Sequence, residues 1–128
     1  MFGCPGETSA TVREGIGNIL NLRRTTVFVF MGIRILPDTV LADIALREGL
    51  IKAGQSLLDP VYYISPQVER PWLEATLKQA FAETRHIVFP PDALEEQLRF
   101  LFKLGYTGSL WDLLAKTGPA ARREEAHA

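Results

Sequence analysis

Apolar positions along this chain fall into blocks of two kinds, helical and extended. Val12, Ile16, Ile19 and Leu20 recur at helical spacing and predict an amphipathic helix running from a cap at Thr8 or Ser9 to about Leu22. Gly15 and Gly17 weaken that helix or admit a close neighbour, and Arg23-Arg24 suit the negative end of its dipole. Residues 25–33 then read as the clearest strand, with Gly32-Ile33-Arg34-Ile35 either continuing it or bending away. Thr25-Thr26-Val27-Phe28-Val29-Phe30-Met31 is β-branched and aromatic with no polar alternation after Thr26. That is the pattern of a strand buried on both faces, as in a parallel sheet covered by helices. Pro37-Asp38-Thr39 ends the strand and caps a short helix over 40–47, with Leu41, Ile44 and Ala45 inward and Gly49 as its stop.

The second half is patterned differently. Residues 50–60 read as a connector, and Val61-Tyr62-Tyr63-Ile64 as a short strand. Pro71 suits a helix first turn, and Leu73, Leu77, Ala80 and Phe81 form that helix's buried stripe. His86-Ile87-Val88-Phe89 is a further extended piece, stopped by Pro90-Pro91. Asp92 and Glu95 predict a capping box for a helix that carries Leu94, Leu98, Leu101 and Phe102 and stops at Gly105. Ser109 and Asp112 repeat that box ahead of Leu110, Leu113 and Leu114. From Thr117 onward the composition turns to Ala, Arg and Glu, which predicts disorder. No internal repeat is visible. The expected organisation is helix–strand–helix over 1–58, a mostly helical extension with short extended segments over 59–117, and a disordered tail over 118–128.

Composition narrows the function classes. The 128 residues are 47% hydrophobic and 23% charged, ordinary for one packed globular domain. A chain of this length buries roughly two-thirds of its unfolded surface. The net charge is −1 and no Lys/Arg cluster follows a helix face, which argues against nucleic acid as a partner. No apolar run approaches the ~20 residues of a membrane span, and no signal-peptide layout opens the chain. The single Cys excludes an internal disulfide and a multi-Cys metal site, and fits a reducing, cytoplasmic compartment.

The best motif stands at the start. Gly3-Cys4-Pro5-Gly6-Glu7-Thr8 reads as a loop that leaves a strand and enters a helix. Two glycines and a proline let backbone approach a ligand, and the helix start offers free N–H groups. The same residues also make an ordinary strand-to-helix turn with a cap. Met1 sits where a buried strand should be ending, and the first 58 residues supply only one long strand for a sheet that needs neighbours. Both observations lead to the expectation that the chain is the closing part of something larger.

This segment, with Val12-Arg13-Glu14 after it, resembles the G-x-P-G-E-T segment of radical S-adenosylmethionine (SAM) enzymes. In that superfamily the segment follows the fifth strand of a partial (β/α)6 barrel, and the next strand ends in an aromatic stretch and a P-G-T turn. Val27-Phe28-Val29-Phe30-Met31-Gly32-Ile33-Arg34-Ile35-Leu36-Pro37-Asp38-Thr39 lies at the matching distance, with Asp38 in place of the usual Gly. Asp59-Pro60-Val61-Tyr62-Tyr63-Ile64-Ser65-Pro66 and Lys103-Leu104-Gly105-Tyr106-Thr107-Gly108-Ser109-Leu110-Trp111-Asp112 are similar to the C-terminal ends of members that carry a cobalamin-binding domain. The resemblance implies an α/β fold: the closing segment of a partial (β/α)6 radical SAM (TIM-like) barrel, followed by a mostly helical extension.

For function, the resemblance implies a parent enzyme that cleaves SAM at a 4Fe-4S cluster and abstracts hydrogen by a deoxyadenosyl radical, with methyl transfer where cobalamin is present. Gly3, Cys4, Pro5, Gly6, Phe30, Met31 and Gly32 would line the adenosine side of SAM. The C-x3-C-x2-C cluster motif of the superfamily does not occur in this sequence, and Cys4 by itself does not hold a four-iron cluster. The chain by itself is therefore expected to bind no cluster and not to catalyse. Its expected partners are the other half of the barrel, from the same or a separate polypeptide, and further copies of itself.

A different class of reading is a small α+β interaction module that shares only the turn. A third is a stand-alone enzyme using Cys4. Phe28 and Phe30 serve equally as barrel core. Arg34 reads as a surface cation, His86 as a strand-edge residue, and Tyr62, Tyr63, Tyr106 and Trp111 as aromatics that close a core. No Ser/His/Asp set, paired-carboxylate site or P-loop can be assembled.

Overall fold

The structure, a computed structural model, describes residues 1–109 and 114, apart from the side chains of Ala93 and Gln97. The chain divides into two compact units, one made of Met1–Glu14 and Met31–Glu74, the other of Gly15–Phe30 and Ala75–Ala128. The boundary expected near residue 58 lies inside the first unit. The divide falls within helix α1 (Ser9–Leu20) and again within helix α3 (Arg70–Phe81).

In the second unit, strand β1 (Val27–Phe28) pairs in parallel with strand β4 (Ile87–Val88), Val27 opposite Ile87. The ladder is extended by the Val29 N–H donating to the Val88 carbonyl at 3.0 Å. Ile16, Val29, Leu77, Phe81, Ile87, Val88 and Leu114 are buried. A 3-10 turn, Pro91–Leu94, leads into helix α4 (Glu95–Lys103).

The first unit holds an antiparallel pair, strand β2 (Ile33–Arg34) against strand β3 (Tyr62–Tyr63), with Ile33 opposite Tyr63. Its core gathers Ile35, Ala45, Ile51 and Tyr63, with Leu41, Ala42, Ile44, Leu57 and Val61 packed around them. Helix α2 (Val40–Arg47) has the predicted bounds, and the Thr39 hydroxyl accepts its Ala42 N–H at 3.2 Å. Leu41, Ile44 and Ala45 face inward as their spacing predicts. The connector over 50–60 supplies Ile51 and Leu57 to this core.

The structure settles one choice and corrects three expectations. Residues 25–33 are not one continuous strand, the bend being the second of the two courses open at Gly32. Gly32, at φ +81°, breaks the run, and Ile33 resumes it against a different partner. Nor is the run buried on both faces: Val29 is 1% exposed, whereas Phe28 and Phe30 are 38% and 49% exposed. Among the described residues β1 also pairs only with β4, so the run has a single sheet neighbour. The capping box at Asp92 and Glu95 does not form. Pro90-Pro91 starts a 3-10 turn, α4 begins at Glu95, and no side chain caps either start. Finally, Leu20 and Phe102 point outward, 44% and 57% exposed, because α1 and α4 bury narrower stripes than their apolar content suggested. Leu110, Trp111, Asp112, Leu113 and the tail over 118–128 lie outside the described residues.

Candidate functional site

Phe2 and Met31 form a parallel bridge, and the Gly32 N–H donates to the Phe2 carbonyl at 2.8 Å. Between them lie the loop over 3–7 and α1. The pair is an isolated bridge rather than a ladder, and the G-x-P-G-E-T loop follows directly on its Phe2 side.

Local chemistry dictates the loop's shape. The Glu7 N–H donates to the Cys4 carbonyl at 3.0 Å, which closes a turn with Pro5 and Gly6 at its centre. Proline presets the first central position, and Gly6 at φ +77° supplies the positive φ that a type II turn demands at the second. The Glu7 carboxylate folds back to accept the Gly3 N–H. Thr8 then starts α1 by a reciprocal exchange: its N–H donates to the Thr11 hydroxyl at 2.9 Å, and its own hydroxyl accepts the Thr11 N–H at 3.4 Å.

Gly3 and Gly32 face each other across the bridge, and protein fills the space around both. A Cβ on Gly3 would stand 3.3 Å from the Ile64 side chain and 3.4 Å from the Gly32 nitrogen; one on Gly32 would meet Tyr62 Cβ at 3.2 Å and the Tyr63 carbonyl at 3.3 Å. These glycines admit the segment Tyr62-Tyr63-Ile64. Nothing approaches the Cβ position of Gly6, which is exposed together with Pro5. Cys4 is a free, half-buried thiol between the two sets.

Six of the seven candidate residues thus come together in the first unit: Gly3, Cys4, Pro5, Gly6, Met31 and Gly32. Phe30 belongs to the second unit and is exposed. Two contributors escaped the sequence reading. One is the Glu7 carboxylate, whose hydrogen bond within the loop was open to inference from its place four residues after Gly3. The other is Ser65, 1% exposed, whose hydroxyl donates to the Glu7 carbonyl at 2.8 Å and whose N–H donates to the Gly3 carbonyl at 3.1 Å. No local pattern announces a contact between positions 58 residues apart.

Elsewhere, the Arg13 guanidinium lies over the Trp72 ring at 5.5 Å, and Arg34 is exposed. His86 Nε2 and Thr26 Oγ1 are buried without a hydrogen-bond partner, at the amino ends of β4 and β1. Tyr63 is fully buried, but Tyr62 is 52% exposed. Among the described residues no three His, Cys, Asp or Glu side chains converge as metal ligands, and the sequence holds one Cys. These residues do not fit a 4Fe-4S cluster. No helix among the described residues is long and apolar enough to cross a membrane. No family model matches the sequence, and no curated protein or solved structure matches it either.

Proposed function

We propose that this chain is the closing segment of a partial radical SAM barrel and that its loop tip, Cys4-Pro5-Gly6, faces the adenosine side of SAM in the completed barrel. The parallel bridge between Phe2 and Met31, with the G-x-P-G-E-T loop following directly after Phe2, supports this reading. Gly3 and Gly32 act beneath the tip, where they let residues 62–64 pass closely. Met31 bridges Phe2 beside the loop in the first unit, whereas Phe30 belongs to the second unit. The cluster ligands, any cobalamin site and the remaining strands would come from outside this sequence, in a reducing compartment such as the cytoplasm.

The decisive experiment reads the genomic frame upstream of codon 1 and expresses any longer product. An in-frame C-x3-C-x2-C, and a visible charge-transfer band after anaerobic iron–sulfide reconstitution of the longer polypeptide, are expected. The present chain should stay colourless under the same treatment, with one thiolate where the superfamily uses three. A genuine start signal at Met1 with no upstream frame would reject the proposal.

The second reading is a small α+β interaction module without enzymatic activity. The glycine pair favours it, because packing against Tyr62 and Ile64 accounts for Gly3 and Gly32 with no ligand at all. A start signal at Met1 is its expected finding.

A further inference from the structure

Among the described residues, Ser65 bonds both ends of the loop over 3–7 from a distant part of the chain. Its N–H donates to the Gly3 carbonyl at 3.1 Å, and its hydroxyl donates to the Glu7 carbonyl at 2.8 Å. The same oxygen accepts the Gln67 N–H at 3.4 Å. The Gly3 N–H and the Glu7 carboxylate close the circuit within the loop. At 1% exposure, Ser65 leaves little room for water to replace a lost hydroxyl. Removing the hydroxyl would leave the Glu7 carbonyl and the Gln67 N–H short of a partner, the costly half of a hydrogen-bond exchange.

We infer that Ser65 is the positioning residue of this loop: it sets the direction in which Cys4, Pro5 and Gly6 present themselves, and so makes the segment after β3 part of the binding site. That the loop presents to a nucleoside rests on the radical SAM reading. That Ser65 holds the loop rests on the hydrogen bonds alone.

Cys4 is the only thiol in the sequence and is half-buried within the loop, so a change in its rate of alkylation by iodoacetamide reports a change in the loop's exposure. Ser65→Ala is expected to speed alkylation about fivefold, the factor that loss of an ordinary net hydrogen bond gives. Ser65→Thr, which keeps the hydroxyl, is expected to restore the slow rate. An unchanged rate in folded Ser65→Ala, or a fast rate in folded Ser65→Thr, would overturn the inference. Should Ser65→Ala fail to fold, hydrogen exchange on the unaltered chain decides. The Gly3, Glu7 and Ser65 amides should exchange at one common rate; rapid exchange at Gly3 and Glu7 beside a protected Ser65 would overturn it. None of these readouts involves SAM or an upstream frame, so the positioning role and the proposed function fail separately.

Discussion

Tyr63 buries its entire side chain and still keeps its hydroxyl bonded to the Glu48 carboxylate at 2.7 Å. Burial, helped by that hydrogen bond and the carboxylate's charge, pushes its pKa from 10.0 up to about 12. The folded state therefore holds this proton more tightly than the unfolded chain. Stability from the group is complete below pH 10 and falls by about 1.4 kcal/mol per pH unit as pH rises toward 12. Urea melts across that window should show this slope, and Tyr63→Phe should remove it. A variant with the wild-type slope would assign alkaline unfolding to other groups. Asp38 offers a second test. It occupies the left-handed region at φ +58°, the conformation that the glycine of a P-G-T turn adopts freely. Asp38→Gly should stabilise the chain by about 0.5 kcal/mol, a left-handed cost of about 1–2 partly offset by glycine's greater unfolded freedom. A lower urea midpoint would show that the Asp38 side chain supports the turn in another way.

Helix ends decide how these elements respond to substitution. At α2 the Thr39 hydroxyl accepts the Ala42 N–H and donates to the Leu36 carbonyl at 2.8 Å. Its other end closes through bonds from Gly49 to Leu46 and from Leu50 to Ala45, a Schellman arrangement that α4 repeats with Gly105 to Phe102 and Tyr106 to Leu101. The start of α4 has no comparable device, because the prolines commit the chain to a 3-10 turn in which Asp92 caps nothing. Thr39→Ala should cost about 1 kcal/mol, and Asp92→Ala should leave the urea midpoint unchanged. Equal losses would restore the capping box that the sequence suggested.

At the scale of the whole molecule, the run over 27–31 presents an apolar face to solvent through Phe28 and Phe30. Exposed aromatic strand faces and open strand edges recruit further chains. Self-association at micromolar concentration is the expected result by light scattering, and Phe30→Lys should weaken it without unfolding. Val29→Lys should unfold the chain instead, because Val29 is 1% exposed and a lysine there would bury its charge. A stable monomer at all concentrations would show that this face needs no cover.

Much of this could be read from residue types acting over a few positions. The bounds of α2, the glycine stops and the Cys4–Glu7 turn follow from spacing, proline's fixed φ and glycine's access to positive φ. These depend on interactions within about a turn of chain, so sequence alone determines them. Tertiary structure decided what depends on partners. It split the run over 25–33 at Gly32, because Phe2, β3 and β4 each take a different part of it. It turned Phe28 and Phe30 outward and drew Ser65 beneath a loop 58 residues away. An apolar strand states only that it can be covered. Which faces are covered depends on the other segments that reach them.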